Sequence, residues 1–568
     1  MPAVRAIRQR AARRRLASGE ESHDVTSEVD MNNKSITMTG AESLQRTLAK
    51  GGVDVCFTNP GTTEMHLVHG VDTVTQMRAV LCLFEGICTG AADGFGRMTG
   101  RPATTLLHLG AGLGNGIANL HNARRARTPI INLVGNHASY HLQHDAPLTS
   151  DIDGLADTVS CWTKSDSTAE TLGRDGADAL TATLSANPDS RGQIATLIVA
   201  TDAAWGEVTE VAPFNPIPTR AAVSSDAIDT AAQNLDADSL LLIDGPGMSS
   251  AGLGAASRIA SVSGCQLRTI FSPARVDAGA GRPGIKRLPY FPEQLRHVLS
   301  KFKRLVLAGA RPPVAFFAYP FGSRDLLPEG SEVVTLARVE EDVAGALEAV
   351  AEALGAPRDC GARNPLERPE APAGELTAAA AAAIIAHRVP EGCIVTVDSG
   401  SGNNAYDGLQ TAQPNTWLSL TGGAIGQGGP AAVGAAVACP DRQVLALQGD
   451  GGAMYTNQAF WTQAREGLNV TTVIYSNRAY WILDFEYLRL GLPELSEQGR
   501  DLFCLDKPPI GWVELAGSMG VPGCRVQTAE AFDAALTRSF SEPGPFLIEA
   551  EVPSPRRADV ERLIPKRA

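Results

Sequence analysis

The sequence predicts an α/β protein built from three Rossmann-like domains, each with a parallel sheet. Three observations carry that expectation. At 568 residues the chain is too long for one hydrophobic core, and ordinary domain sizes divide it into about three units. Short apolar runs alternate with helical stretches almost throughout, the pattern of strands linked by covering helices. Several of those runs end in glycine-containing turns.

The first unit is expected over 38–205, where Val53–Phe57, Thr104–Leu107, Ile130–Val134 and Ala195–Val199 read as strands. A second, central unit covers 220–355. Its strand-like runs Ser239–Ile243 and Leu305–Ala308 lead into Asp244-Gly245-Pro246-Gly247 and Gly309-Ala310. Residues 356–375, rich in Pro, Arg and Glu, read as an exposed linker. The Ala-rich helix Leu376–His387 then opens a third unit over 376–568. Ahead of all three lies a tail, 1–37, in which Arg5, Arg8, Arg10, Arg13, Arg14 and Arg15 precede Glu20, Glu21 and Asp24. This composition predicts disorder. An Arg-rich start also suits a transit peptide, but the tail lacks an apolar core and soon turns acidic. No short-period repeat is present.

Composition narrows the function classes. With 44% hydrophobic and 20% charged residues, and no apolar run near the roughly 18 residues of a membrane span, the chain reads as soluble. A net charge of −13 argues against a nucleic-acid surface, which needs concentrated Lys and Arg. The ten cysteines, Cys56 to Cys524, include no C-x-x-C pair, so neither a zinc site nor a disulfide framework is expected and a reducing cytoplasm fits. The expected partner is a small molecule or another copy of the chain.

The strongest chemical signal is in the third unit. Arg442–Gln448 reads as a buried strand ending at Gly449-Asp450-Gly451-Gly452, followed by a helix over Asn457–Glu466 and a strand, Val470–Tyr475, ending at Ser476-Asn477. A right-handed βαβ crossover lays the two strands parallel, so Asp450 and Asn477 emerge side by side at their carboxyl ends. One carboxylate and one amide oxygen suit magnesium, which prefers hard oxygen ligands and leaves part of its shell to phosphates and water. The glycines let backbone N–H groups approach an anion at a helix start.

G-D-G followed 27 positions later by Asn resembles the motif of thiamine diphosphate enzymes, with Ser476 in place of the family's first Asn. The resemblance implies thiamine diphosphate and Mg2+ as cofactors, with Asp450, Asn477 and the backbone carbonyl of Ala479 as metal ligands. It extends to Phe84-Glu85-Gly86-Ile87-Cys88-Thr89-Gly90-Ala91-Ala92-Asp93-Gly94-Phe95-Gly96-Arg97, similar to the family's E-x-x-A-x-x-A-D-G-Y-A-R stretch. Glu85 would then hydrogen-bond the cofactor's pyrimidine N1′. Thr421-Gly422-Gly423-Ala424-Ile425-Gly426 resembles the segment holding the cofactor bent, with Ile425 as the wedge and the Gly423 carbonyl facing the 4′-amino group. The three units become pyrimidine-binding, central and diphosphate-binding domains. Because Glu85 and Asp450 lie in different units, the family relationship implies a homo-oligomer, dimer or tetramer, with each site between subunits.

Within that family the sequence resembles acetolactate-synthase-like large subunits and benzoylformate decarboxylase. Asn59-Pro60-Gly61-Thr62-Thr63-Glu64 is similar to the latter's N-P-G-S-N-E, which places Thr62 at its active-site serine. Leu107-His108-Leu109-Gly110-Ala111-Gly112-Leu113-Gly114-Asn115 is similar to its L-H-S-A-A-G-T-G-N, which gives His108 a proton-transfer role. That enzyme's second histidine should fall near Pro313–Tyr319, where this chain has none. The implied activity is decarboxylation of a 2-oxoacid, with release of an aldehyde or transfer of the acyl carbanion to a second carbonyl. A benzoylformate decarboxylase-type lyase, a 2-hydroxyacyl or diketone lyase and a non-catalytic cofactor-binding subunit are the alternatives. FAD, common in acetolactate synthases, is not expected, because Ser272–Pro289 lacks a G-M-H-G-like turn. His137, His141 and His144 invite a metal reading, but no Cys or acidic partner is spaced to complete a shell, so a surface loop is expected. Tyr480 and Trp481 are expected either beside the substrate or in the core.

Overall fold

The computed structural model describes residues 37–188, 191–320 and 325–554, so the tail expected over 1–37 lies outside the described residues save Thr37. The described residues from Met38 onward cluster as one compact unit. Three large sheets fill it, as the alternation of apolar and helical segments requires.

The first sheet has β1 (Val55–Thr58), β2 (Arg78–Leu81), β3 (Ala103–Leu107), β4 (Ile130–Asn136), β5 (Trp162–Lys164) and β6 (Ile194–Ala200) in the spatial order β2-β1-β3-β4-β6-β5, all parallel. Beyond it come β7 (Ser239–Ile243), β8 (Gln266–Thr269), β9 (Val276–Ala278), β10 (Lys286–Arg287), β11 (Arg304–Ala308) and β12 (Glu332–Ala337). Five of these form a parallel sheet ordered β10-β8-β7-β11-β12. β9 instead joins the third sheet as its antiparallel edge. That sheet adds β13 (Cys393–Asp398), β14 (Asn415–Leu418), β15 (Val444–Gly449), β16 (Val470–Ser476), β17 (Gly523–Val526) and β18 (Phe546–Glu551), ordered β9-β14-β13-β15-β16-β18-β17. Central strands such as β4, β15 and β16 are buried along nearly their whole length, which explains why they read as continuous apolar runs rather than alternating ones.

In each sheet the chain builds outward on one side and then crosses back, which leaves a crevice at the carboxyl ends of two neighbouring strands. In the first sheet this switch lies between β1 and β3, and in the third between β13 and β15. Ligands of open α/β sheets bind in such crevices.

Two helices lock the first and third sheets together. Helix α1 (Glu85–Thr99) follows β2, helix α2 (Leu109–Ala126) follows β3, and helix α3 (Gly428–Ala438) precedes β15. The backbones of α1 and α3 approach so closely that a β-carbon at Gly434 would sit 1.8 Å from the carbonyl oxygen of Ala91, and one at Gly94 would sit 2.1 Å from that of Ala431. Beside the crossing, Arg97 grips Asp93 through two hydrogen bonds, Nε to Oδ1 at 2.9 Å and Nη2 to Oδ2 at 2.6 Å, and donates to the carbonyl of Ser419 at 2.6 Å. Gln427 and Thr128 donate to the two Asp93 oxygens. This buried pair is therefore fully hydrogen-bonded, the condition under which interior charge is tolerated.

Residues 356–375 form no helix, and Asn364 within them is held against segments that flank the edge of the third sheet. Asn364 exchanges backbone hydrogen bonds with Gly281 and Arg282, and its amide donates to Gln410 O at 2.6 Å. No helix among the described residues is long and apolar enough to cross a membrane.

Two predictions follow from this packing. Gly434→Ala forces a methyl group into backbone, and a cost of about 1–3 kcal/mol is expected as a lowered Tm. Asp244, at the end of β7, has its pKa raised by burial to about 6. The folded protein thus holds that proton more tightly than the unfolded chain, so its stabilising contribution is present at low pH and lost as pH rises toward 6. Asp244→Asn should match wild-type stability below about pH 4 and exceed it at pH 8, by roughly 1–3 kcal/mol on the scale of 1.36 kcal/mol per pKa unit, as read by chemical denaturation at the two pH values.

Candidate active site

At the first-sheet switch, β1 ends in Asn59 and β3 in His108, while Glu85 opens helix α1. Glu85 is only 7% exposed. Its carboxylate is held from both sides, by Asn59 Nδ2 at 3.2 Å to Oε1 and Asn115 Nδ2 at 3.0 Å to Oε2. The carboxylate is thus held in place by two neutral side-chain amides. Leu109 adopts φ 48°, the left-handed region rarely taken by a branched residue, where the chain turns from β3 into α2. That turn sets His108 at the corner of the crevice. His108 Nδ1 lies 2.9 Å from Oε2 of Glu64, a fully buried carboxylate that also accepts from the backbone N–H of Gly61 at 2.7 Å.

Thr62 is exposed at the start of the turn Thr62–Glu64. Its neighbour Thr63 is the threonine that reaches inward, donating to Glu64 Oε1 at 2.5 Å and lying 3.4 Å from His108 Nδ1.

At the third-sheet switch, β15 delivers Gly449 and Asp450, and β16 delivers Asn477 beside them, with Gly449 paired to Tyr475. One Asp450 oxygen accepts from the Arg478 N–H at 2.6 Å and the other from the Gly451 N–H at 2.9 Å. Arg478 takes a left-handed φ of 58°. Burial raises the Asp450 pKa against the pull of those N–H groups. A cation beside it would relieve that cost. Asn477 Oδ1 accepts from the Ala479 N–H at 3.0 Å, which orients the amide. The G-D-G-G run enters a short helix, Asp450–Ala453, rather than one continuous helix. Among the described residues no group of three His, Cys, Asp or Glu side chains is placed to hold a metal. The ligand set expected from the sequence uses only one such residue, so the oxygen donors present fit magnesium.

Asp398, at the end of β13, anchors the Gly-rich loop by accepting from Gly426 N at 2.7 Å and Gly428 N at 3.3 Å; burial raises its pKa. From the other side Asn122 clamps Ala424, donating to its carbonyl at 2.7 Å and accepting from its N–H at 3.1 Å, while His121 Nε2 lies 3.2 Å from Gly422 O. Between those two engaged carbonyls, no backbone N–H among the described residues donates to Gly423 O. Ile425 is 46% exposed although its base packs on Gly452. An aliphatic side chain held out of the core beside a carbonyl that no backbone N–H engages fits the wedge of a bent cofactor. Tyr480 lies against Gly451 and Trp481 near Gly400, so both border this crevice.

The loop where a second histidine was sought brings an aromatic ring instead. Phe316 packs on Gly423. It belongs to a run of aromatic contacts, 4.9–5.2 Å between centroids, through Tyr290, Phe291 and Phe317 to Phe485. Helix α4 (Trp481–Arg489) carries Phe485 and the buried Arg489, which pairs with Glu293 at 2.6 Å and stacks 3.7 Å from the Tyr319 ring.

Sequence reasoning missed Asn59, Thr63, Glu64, Asn115 and Asn122. One signal was available, since Asn115, Asn119 and Asn122 recur at helical spacing and so line one face of α2; their amides reach Glu85, Gly86 O and Ala424 in turn. The pairing of Glu64 with His108 had no such signal, because 44 positions separate them.

Comparison with known proteins assigns the chain to a family. Residues 38–156 match the model of the thiamine pyrophosphate enzyme N-terminal TPP binding domain, and 399–550 match the C-terminal TPP binding domain. A Mycobacterium tuberculosis protein bearing the provisional name acetolactate synthase large subunit IlvX is 47% identical over 91% of this chain and 99% of its own length. Benzoylformate decarboxylase of Pseudomonas aeruginosa is 28% identical over 88% of this chain and 96% of its own. In fold, the chain is similar to a thiamine diphosphate-dependent 4-hydroxybenzoylformate decarboxylase of Rhodococcus jostii RHA1, with a TM-score of 0.80 at 23% identity over 91% of this chain and all of that one. The chain belongs to the thiamine pyrophosphate enzyme family, in the branch that resembles acetolactate synthase large subunits and benzoylformate decarboxylase.

Proposed function

We propose that this protein uses thiamine diphosphate and magnesium to decarboxylate a 2-oxoacid and joins the acyl unit to a second carbonyl or releases it as an aldehyde. The observation that carries the reading is the pair of crevices, one holding an amide-clamped glutamate and the other an Asp–Asn oxygen pair beside a protruding isoleucine. Bound there, the cofactor supplies a carbon nucleophile that stabilises negative charge on the acyl carbon. Glu85 holds a proton at the pyrimidine nitrogen. Asp450, Asn477 and the Ala479 carbonyl hold magnesium against the diphosphate, and Gly449, Gly451 and Gly452 leave room for that anion. Ile425 and Gly423 orient the rings. His108, backed by Glu64, handles protons at the substrate, and Thr62 or Thr63 provides a hydroxyl for its carboxylate.

Residues 38–205 would form the pyrimidine-binding domain, 220–355 the central domain and 376–568 the diphosphate-binding domain. Within one chain, Asn115 holds Glu85 and Asn122 holds the wedge loop seven residues further along α2, about 10 Å at 1.5 Å per residue. The family relationship favours a homo-oligomer in which a second copy completes each site. A cytoplasmic enzyme working without flavin is the simplest setting.

The aromatic run over Gly423 favours a bulky apolar acyl group or acceptor. It places no histidine beside Gly423 to protonate the acyl carbon, which favours joining over release. Purified protein given thiamine diphosphate and magnesium should evolve carbon dioxide from apolar 2-oxoacids, and Glu85→Ala should lower that rate by at least about a hundredfold. A variant as fast as wild type would sink the mechanism. Phe316→His is expected to raise the ratio of aldehyde to joined product several-fold, measured by chromatography with one substrate; an unchanged ratio would detach Phe316 from product choice.

A further inference from the structure

The central sheet has a switch point of its own. Its order β10-β8-β7-β11-β12 grows from β7 to one side and then returns with β11 on the other, so a crevice opens between the carboxyl ends of β7 and β11. The cofactor reading leaves it unused. β7 runs there into the Asp244-Gly245-Pro246-Gly247 turn. A cavity of about 610 Å³ lies over this turn, bounded on its other side by the end of α1 and by Ala126–Pro129, which join α2 to β4.

Cations line it. Arg127 leaves the end of α2 with a left-handed φ of 56°, uncommon for a residue other than glycine, and donates to the carbonyl of Asn187. Arg220 spends one N–H on the carbonyl of Val339 at 2.6 Å and makes no ion pair among the described residues. Arg275 donates to the carbonyls of Arg97 and Met98 at 3.1 and 3.0 Å and pairs with Asp277 at 3.1 Å. Burial lowers the pKa of both Arg127 and Arg220, and the charge of Arg127 lowers that of Arg220 further. Two guanidinium groups are thus held near each other and partly out of water, a cost that a bound anion relieves. The acids acting on them are Glu340, Asp342 and Asp244, of which only Asp244 lines the cavity.

Asp244 supplies a second chemical feature, a carboxylate acceptor at the end of a central strand. No aromatic ring stands among the lining residues, so a nucleobase or a flavin has nothing to stack on. The lining favours a ligand that is anionic at one end, hydroxylated at the other and aliphatic throughout.

We propose that this cavity binds a phosphorylated polyol, an aliphatic sugar phosphate, with the phosphate at Arg127 and Arg220 and hydroxyl groups on Asp244. Guanidinium groups meet phosphate oxygens with parallel N–H donors, and an ionised carboxylate accepts from hydroxyls. The site is separate from both cofactor crevices. Arg275 nevertheless joins its wall to Arg97, whose hydrogen bonds reach Thr421.

The full-length protein, loaded with thiamine diphosphate and magnesium, provides the test by calorimetric titration at pH 8, where Asp244 is above its pKa of about 6 and ionised. Ribose 5-phosphate should bind once per chain, ribose should not bind, and ADP should bind more weakly than ribose 5-phosphate. Arg220→Gln should weaken ribose 5-phosphate about tenfold or more. Asp244→Asn should weaken it several-fold while holding inorganic phosphate at least as well as wild type. Should either variant not fold, Ser250→Glu sets a negative charge at the exposed edge of the cavity, at the start of helix Ser250–Ser263 where an acid is favourable, and should weaken ribose 5-phosphate by a similar factor. Absence of binding at millimolar ribose 5-phosphate, or binding undiminished in Arg220→Gln and Ser250→Glu, would overturn the site. ADP binding tighter than ribose 5-phosphate would overturn the ligand class.

Discussion

Everything in the site depends on the crossing of α1 and α3. Helix α1 begins with Glu85 and α3 is followed by the strand that delivers Asp450, so the distance between two sheets is set where two glycines allow backbone to touch backbone. Dispersion falls off steeply with separation, and the absence of side chains at the crossing removes the usual slack. The Asp93–Arg97 pair adds direction to this contact. Its hydrogen bonds reach Ser419, Thr421 and Gln427, the residues that lead into and out of the wedge loop. A packing constraint and a polar network thus act on the same few residues.

The two crevices illustrate how parallel sheets generate chemistry without special local structure. Each is the gap left where the chain reverses its direction of growth, and each collects residues that are remote in sequence. Asn59, Glu85 and His108 come from three successive strand ends, while Asp398, Asp450 and Asn477 come from three others. The strands place these residues, and the hydrogen bonds between them then restrict their rotamers. Leu109 and Arg478, both in the left-handed region, mark the corners where the backbone bends to bring side chains into the gap, as strained positions at functional sites tend to do.

Much of this was legible in the sequence because it is local. The strand runs Ser239–Ile243 and Val470–Tyr475 stand in the fold within a residue of where the apolar pattern puts them, since buried parallel strands must be apolar on both faces. The βαβ spacing between Asp450 and Asn477 is likewise a short-range property. What pattern could not reveal depends on tertiary contact. The capture of β9 by the third sheet is decided by its pairing with β14, 139 positions away at Asp277 and Thr416. The inward turn of Thr63 rather than Thr62 depends on where Glu64 and His108 meet. Phe316 is just an aromatic in a loop until Gly423 is found beneath it.

The placement of Arg489 has a consequence for how such an enzyme can diversify. The loop carrying Phe316 and Phe317 is fastened at Tyr319 and through the Glu293 pair, away from the rings that face the crevice. Breaking a buried ion pair typically costs about 3–5 kcal/mol, so this fastening resists change, whereas the tip, with Phe316 and Phe317 about half exposed, is less constrained by packing. Residues 314–317 can therefore drift in size and polarity while the frame stays put. The wall above Gly423 is thus the part of this crevice whose shape is least tied to the stability of the fold.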